Sequence, residues 1–299
     1  MKLGLVILNY NDFPHTKAIL EQLNRDPLAE GVVVVDNAST DGSPDRLLPY
    51  CTGKIRLLKV KKNGGYARGN NAGIRYLIKW MHPDVIAIAN PDLMLPEGFL
   101  SAVLTDFAEH PEYSALTGVQ KIPGGEVPPF AFWKKMTYSG ALKKMVSEFW
   151  LLRKLHGPDR NQYMQAILAK EPGVYPADVL SGCLFFVRTE DLLQAGCFDE
   201  GTFLYYEEEI LFHRLRVQGK RAAVDTGISF THEWGGTTDQ IFRRIDTFRM
   251  TCRSFHYFVV HYLAKSAGKR ALFEAVYAVY RIEKELHYGT LRLLGKYGK

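Results

Sequence analysis

The 299-residue chain is 46% hydrophobic, 12% aromatic and 23% charged, with a net charge of +6. This composition excludes a disordered chain and allows one large α/β domain or one domain with an appended helical element. The positive charge would suit phosphate groups, an anionic membrane surface or nucleic acid. No nucleic-acid partner is expected, because the basic residues form no recognisable recognition module.

Four scattered cysteines, without a CxxC pair, argue against a zinc knuckle and indicate buried thiols of a cytoplasmic protein. The N-terminus has no signal-peptide pattern. No apolar run reaches the roughly 20 residues that a membrane span needs. We therefore expect a cytoplasmic protein, with peripheral contact at the inner face of the plasma membrane as an open alternative.

The first 120 residues alternate short apolar runs with amphipathic helical patterns. The runs, which predict buried strands, are residues 3–8, 32–35, 55–60 and 85–89. The segments with one apolar helical face are residues 15–23, 71–80 and 99–107. This alternation predicts a mostly parallel sheet flanked by helices.

Residues 121–177 lose this rhythm, because prolines and glycines interrupt both of their ends. Such a segment is typical of a lid or binding loop, with a surface excursion as the alternative. A strand at 180–187 and a helix at 207–217 follow. Residues 240–299 read as basic, aromatic helices, which suit contact with an anionic membrane. Packing on the rest of the chain, or on a second subunit of a homodimer, remains the alternative.

Polar residues follow each of the first four predicted strands. They occupy positions 9–12, 36–42, 63–71 and 90–92. Each stretch alone is compatible with ordinary turn and helix-cap chemistry. Because ligands of open α/β sheets bind at the carboxyl ends of the strands, four such stretches in succession favour a ligand site.

Two acidic positions stand out as candidates for chemistry. Asp92 leaves an apolar strand directly, so its carboxylate could hold Mg²⁺ or Mn²⁺ at the edge of the sheet. The acids 207–209 begin a helix, where they could simply complement its dipole. Their apolar surroundings instead favour a raised pKa and general-base work. His232 follows a strand-like run and is either structural or a metal ligand.

The ordered series Asn9-Tyr10-Asn11, Asp36-Asn37-Ala38-Ser39-Thr40-Asp41-Gly42, Asn63-Gly64-Gly65-Tyr66-Ala67-Arg68-Gly69-Asn70-Asn71 and Asn90-Pro91-Asp92 resembles family 2 glycosyltransferases, closest to the bacterial rhamnosyltransferase-like branch. The likeness spans residues 3–235 and implies a GT-A fold, a Rossmann-like α/β nucleotide-diphospho-sugar transferase with a mostly parallel sheet. The implied catalytic domain, 1–238, has a nucleotide-sugar half (1–120), an irregular acceptor or lid segment (121–177) and an acceptor and catalytic-base half (178–238). A helical C-terminal extension, 239–299, follows.

The resemblance also implies roles for individual residues. The donor nucleotide sugar would be bound by Tyr10, Asn11, Asp36, Asn37, Asn63, Gly65, Arg68, Asn70, Asn90 and Asp92. Asp92 and His232 would hold Mg²⁺ or Mn²⁺, with Asn90 replacing the first acid of the family's DxD motif. Glu207 and Glu208 match the family's Glu-Asp pair, which makes Glu208 the catalytic base and leaves Glu209 as the alternative.

The implied activity is inverting sugar transfer from dTDP-rhamnose or a UDP-hexose to a glycan or lipid-linked acceptor in cell-surface polysaccharide synthesis. A sugar-nucleotide nucleotidyltransferase would usually carry a glycine-rich loop with a basic residue after the first strand. Residues 9–12 do not match that loop. A catalytically inactive nucleotide-sugar-binding scaffold is the other alternative, and the set Asp92, Glu208 and His232 argues against it.

Overall fold

The structure is a computed structural model that describes residues 1–149, 162–233 and 244–293, with side chains at 244–245 and 288–293 left out. Its strands are β1 (Leu3–Asn9), β2 (Gly31–Asp36), β3 (Ile55–Lys59), β4 (Val85–Ala89), β5 (Leu93–Met94), β6 (Tyr113–Lys121), β7 (Phe132–Trp133), β8 (Val174–Ala177), β9 (Val179–Leu180), β10 (Leu184–Arg188) and β11 (Arg221–His232). Its α-helices are α1 (Phe13–Arg25), α2 (Ser43–Leu47), α3 (Tyr66–Met81), α4 (Phe99–Glu109), α5 (Tyr138–Ser147), α6 (Gln162–Leu168), α7 (Thr189–Gln194), α8 (Glu207–Val217), α9 (Arg244–Phe258) and α10 (Ala267–Leu293). A π-helical turn, Val259–Leu263, lies between the last two.

The central sheet has the order β3-β2-β1-β4-β10-β6-β11-β5, with β8 also paired to β11. Strands β1 to β4 pair in parallel, as predicted. Strands β1, β2 and β4 are buried on both faces, because helical crossovers cover the two sides of a parallel sheet, whereas β3 at the edge is only partly buried. Along β1, Leu3, Leu5 and Ile7 enter one hydrophobic core and Val6 enters the other. This arrangement brings the carboxyl ends of four strands to one edge.

Beyond β4 the sheet becomes mixed. Strand β10 runs antiparallel between β4 and β6, whereas β6 and β11 are parallel. The predicted strand at 180–187 is divided, because β9 pairs with β7 in a separate two-stranded sheet. Sequence analysis missed β6, whose polar residues obscure a strand that is almost wholly buried. The buried hydroxyl of Thr117 has a hydrogen-bond partner, because it donates to the Leu184 carbonyl at 2.9 Å.

The described part of 121–177 is more regular than predicted. It contains β7, α5, α6 and β8, and β8 completes the sheet beside β11. Helix α5 begins at a Thr137 cap, whose hydroxyl accepts from the Gly140 N–H at 3.0 Å. Residues 150–161 lie outside the described part, so the expected lid is untested there.

The C-terminal helices pack on the rest of the chain. Phe255 of α9 and Phe273 of α10 share a core with Met145 of α5, and all three are at most 2% exposed. Phe255 and Phe258 of α9 are therefore inside the protein, in line with the alternative of packing on the rest of the chain, and contact of the C-terminal helices with a membrane stays a prediction. The boundary expected at 238–239 lies outside the described residues. Within the described ranges, no helix is both long and apolar enough to cross a membrane.

Candidate active site

The ends of β1 and β2 are joined by a buried polar network. The Asn9 amide donates to Asp36 Oδ1 at 2.8 Å and to Ser39 Oγ at 3.1 Å. The second Asp36 oxygen accepts from the Ser39 N–H at 3.1 Å, and Asp36 is only 1% exposed. Asp36 therefore holds the loop after β2 at the sheet edge. Tyr10 lies beside this network and is half-buried.

Asn11 extends the network to the neighbouring loop. Its backbone adopts a positive φ of 54°, and its side-chain oxygen accepts from the Thr40 N–H at 2.7 Å. Its own N–H donates to Ser39 Oγ at 2.9 Å. Asn11 thus braces the 36–42 loop in this structure.

The glycine loop before α3 depends on close backbone contacts. The Asn63 side chain accepts from the Gly65 N–H at 2.9 Å and from the Asn37 amide at 3.0 Å. Gly65 has φ 88°, and a Cβ there would lie 2.2 Å from the Phe203 carbonyl oxygen. The same oxygen accepts from the Tyr66 N–H at 2.8 Å. Only glycine fits this meeting of the two loops.

These loops enclose a cavity of about 380 Å³, lined by Lys62, Asn63, Gly64, Arg68, Glu200, Gly201, Thr202 and Phe203. Arg68 crosses it to donate to Glu200 Oε2 at 3.0 Å. Asn70, expected to line the pocket, is fully buried instead, and its amide donates to the Tyr66 carbonyl at 3.0 Å. Asn70 is not among the residues that line this cavity, so its expected role in donor binding stays a prediction.

The structure brings Asp92 and His232 together, although they are 140 residues apart. Nε2 of His232 lies 3.1 Å from Asp92 Oδ1, and Nδ1 lies 2.9 Å from the Gln120 amide nitrogen. Burial lowers the pKa of His232, but hydrogen bonding, above all to Asp92, outweighs it and raises that pKa to about 10. Asn90 is half-buried at the same edge, and its N–H donates to the Cys183 carbonyl at 2.8 Å.

Gln120 is a site residue that sequence analysis missed. It is 5% exposed, and its side-chain oxygen lies 3.3 Å from Cys183 Sγ while its nitrogen faces His232. The available signal was an amide in an otherwise buried strand. In the described part of the chain, no group of three or more His, Cys, Asp and Glu side chains forms a metal cluster. Asp92 and His232 are thus a pair of potential metal donors at this edge.

The acids 207–209 emerge from a strained turn. Tyr205 and Tyr206 have φ values of 71° and 69°, in the left-handed region that favours glycine. Glu207 and Glu209 are 4% and 5% exposed, whereas Glu208 is half-buried. The Oε2 atom of each acid has no hydrogen-bond partner among the described residues. Burial raises the pKa of Glu208 to about 6 and of Glu209 to about 7, and places the pKa of Glu207 well above its ordinary value.

Glu208 and Glu209 have different surroundings. Glu208 Oε1 lies close to Gly182, where an added Cβ would be 3.6 Å away, and the Tyr66 hydroxyl donates to the Gly182 carbonyl. Glu209 Oε1 instead accepts from the Trp133 indole N–H at 2.8 Å. Glu208 therefore adjoins the segment that leads into β10 and contacts Asn90, whereas Glu209 ties α8 to β7.

Comparison with known sequences identifies the family of the chain. Residues 5–161 match the family described as Glycosyl transferase family 2. The N-acetylglucosaminyl-diphospho-decaprenol L-rhamnosyltransferase of Mycobacterium tuberculosis (strain ATCC 25618 / H37Rv) is 30% identical over 228 residues, covering 73% of this chain and 71% of its own. The low-salt glycan biosynthesis hexosyltransferase Agl10 of Haloferax volcanii is 26% identical over 219 residues, covering 72% of this chain and 61% of its own.

Solved structures show a similar fold. The GalNAc-T7 structure with UDP, GalNAc and Mn²⁺ superposes with a TM-score of 0.61 at 12% identity over 87% of this chain. This chain spans 48% of that protein, so the likeness concerns about half of it. The mannosyltransferase PcManGT of Pyrobaculum calidifontis, solved with GDP-Man and Mn²⁺, superposes with a TM-score of 0.58 at 16% identity. The match covers 100% of this chain and 76% of that one. The chain therefore belongs to glycosyltransferase family 2 and has the GT-A fold.

Proposed function

We propose that this glycosyltransferase moves a sugar from a nucleotide-diphosphate donor to a lipid-linked acceptor and inverts its anomeric configuration. The observation that carries the proposal is the convergence of two chemically different groups on one backbone segment. Glu208 adjoins Gly182, and Asn90, two residues before Asp92, donates to the next carbonyl, that of Cys183. A base and a diphosphate-binding edge would thus flank the reacting carbon.

Glu208 is the proposed base. Inversion by one in-line displacement needs a group that takes the acceptor hydroxyl's proton and needs no protein nucleophile. A pKa of about 6 leaves Glu208 ionised at neutral pH while making it more basic than an ordinary glutamate. Glu209 suits this role less, since it is more deeply buried and one of its oxygens accepts from Trp133.

Asp92 and His232 are the proposed metal ligands. A carboxylate and a neutral imidazole suit Mn²⁺, and the carboxylate suits Mg²⁺, with diphosphate and water completing the coordination. Metal binding would displace the proton that Asp92 stabilises on His232, because a ligating imidazole is neutral. The ion would offset the charge of the leaving diphosphate. Gln120, whose amide nitrogen lies 2.9 Å from Nδ1 of His232, would help to orient the ring.

The relatives and the cavity support a proposed donor and a proposed acceptor. We propose that the base and ribose occupy the cavity beside Asn63 and Arg68, with Asp36, Asn37 and Tyr10 supporting its wall. The mycobacterial relative is named for L-rhamnosyl transfer to a decaprenol-linked N-acetylglucosamine. dTDP-rhamnose is therefore the first donor to test, with UDP-hexoses second, and a polyprenyl-diphosphate sugar is the proposed acceptor.

The test compares Glu208→Gln with Glu209→Gln over a panel of nucleotide sugars with Mn²⁺ or Mg²⁺. Loss of the base should lower kcat by about 10²- to 10⁴-fold, and Glu209→Gln should retain most of the activity because its amide oxygen still accepts from Trp133. In the wild type, kcat/KM should fall about tenfold per pH unit below about pH 6 as Glu208 becomes protonated. Wild-type transfer by Glu208→Gln would contradict the mechanism.

A further inference from the structure

Helix α10 has apolar residues on two sides. Phe273, Tyr277 and Tyr280 face inward, and each is at most 7% exposed. On another side Leu272, Val279, Ile282 and Leu286 are 52%, 55%, 62% and 67% exposed. At 100° per residue these four side chains fall within an arc of roughly 80°, centred roughly 140° from the inner set. The helix therefore presents a continuous aliphatic stripe, which we name the outer stripe of α10.

The positive charge of the chain is concentrated in the C-terminal segment that carries this stripe. Residues 244–299 contain eleven Lys and Arg against four Asp and Glu, whereas the rest of the chain contains 27 against 28. The positive excess of the whole protein therefore belongs to its C-terminal part. An aliphatic stripe on a strongly basic unit is the combination that binds anionic bilayer surfaces.

Ion pairs within residues 244–299 do not cancel the excess of positive charge in this segment. Glu285 pairs with Arg249 at 3.0 Å and Glu283 with Lys284 at 3.1 Å, and Glu274 shares a hydrogen bond of 2.8 Å with His256. Lys265, Lys269 and Arg270 remain exposed around the start of α10, at one end of the outer stripe. These cations can meet lipid phosphates.

A second copy of the chain is the main competitor for the stripe. Leu272, Val279 and Leu286 repeat every seven residues, as one seam position of a coiled coil does. Pairing two copies through this seam would bring two strongly basic segments together. An anionic bilayer instead offsets the basic charge while covering the same aliphatic side chains.

We propose that the outer stripe of α10 docks the protein on the headgroup region of an anionic bilayer. The stripe would insert its aliphatic side chains between the lipids while Lys265, Lys269 and Arg270 at its start contact phosphates. This inference goes beyond the proposed reaction, and it would hold the enzyme at the surface where a lipid-linked acceptor resides. It assigns the membrane contact expected from sequence to the aliphatic side chains of α10, since Phe255 and Phe258 of α9 are buried.

Co-sedimentation with vesicles tests the proposal on the full chain. The variant Val279→Glu/Ile282→Glu adds two carboxylates to the stripe, and Leu193→Glu is the matched control, since Leu193 is 47% exposed on α7. Vesicles contain phosphatidylcholine alone or with phosphatidylglycerol. The wild type and the control should bind the anionic vesicles and dissociate in high salt, whereas the double variant should bind about tenfold more weakly.

Equal binding by the wild type and the double variant, or no binding to anionic vesicles, would overturn the proposal. Light scattering addresses the competitor: a wild-type dimer that becomes monomeric in the double variant with unchanged vesicle binding would assign the stripe to a second copy. Thermal unfolding checks that the double variant is folded. Transfer to a water-soluble acceptor without vesicles should be unchanged in that variant, which separates failure of docking from failure of the proposed reaction.

Discussion

The loop that precedes the proposed base is held by the C-terminal helices. Asp199 accepts from the Tyr257 hydroxyl at 3.0 Å, from the Gly201 N–H at 2.8 Å and from the Tyr262 hydroxyl. Ser254 of α9 donates to the Leu204 carbonyl at 2.8 Å. Farther along the loop are the two left-handed tyrosines 205 and 206, each of which costs about 1–2 kcal/mol. Contacts from outside the loop must therefore maintain this strained turn.

Asp199→Ala removes three hydrogen bonds at once, two from the C-terminal tyrosines and one from the Gly201 N–H within the loop. Burial raises the pKa of Asp199, but the hydrogen bonds from Tyr262, Gly201 and Tyr257 outweigh it and leave that pKa below its ordinary value. Hydrogen bonds to a charged group contribute about 1.5–3 kcal/mol each. Because the side chain is only partly buried and water can replace some partners, we expect a total loss of about 2 kcal/mol in the free energy of unfolding. The same change should lower kcat about tenfold, since a loosened turn misplaces Glu208.

Urea unfolding and steady-state kinetics measure both effects. Glu274→Ala is the matched control, because its ion pair with His256 lies on the same helical unit with the glutamate 50% exposed. That control should change the unfolding free energy by no more than about 0.5 kcal/mol. Hydrogen exchange at residues 199–209 should increase in Asp199→Ala alone. Unchanged stability and unchanged kcat in Asp199→Ala would refute this reasoning.

Three further outcomes are expected. Gly65→Ala should destabilise the fold by about 2 kcal/mol or more in thermal unfolding and should exceed Gly53→Ala, which shares the positive φ but has open space around it. Equal losses would exclude the contact with the Phe203 carbonyl as the cause. Burial raises the Glu209 pKa to about 7, so the wild type loses stability as pH rises from about 4.5 through 7. Glu209→Gln should therefore be more stable than the wild type by up to about 3 kcal/mol at pH 8 and show no gain at pH 4. Urea titrations at the two pH values measure this, and an equal effect at both would contradict the prediction. Asp92→Asn should raise the Mn²⁺ concentration required for half-maximal transfer about tenfold or more, and an unchanged requirement would remove Asp92 from the proposed metal site.

Much of the fold is predictable from local pattern. Strands β1, β2 and β4 are largely apolar runs, β3 is an Ile- and Leu-rich run interrupted by Arg56, and α8 begins and ends where its sequence predicts, at Glu207 and Val217. These elements have a period or a composition that short segments express without help from distant residues. The order of the four strand-end motifs also identified the family. A parallel sheet brings those motifs to one edge.

The tertiary structure alone decided the remaining features. Strand β6 is recognisable only once Thr117 and Gln120 find partners on β10 and β11. Asn70 belongs to a motif and is fully buried, and the motif alone does not show that its amide donates to the Tyr66 carbonyl.

The sequence by itself determined the family, the parallel half of the sheet and the acids that begin α8. The tertiary structure decided that His232 contacts Asp92, that Glu209 holds Trp133, and that the aromatics of α9 are inside while the aliphatic stripe of α10 is outside. The physical reason is the range of the interactions: periodicity and caps act within a few residues, whereas these pairings join residues tens to more than a hundred positions apart.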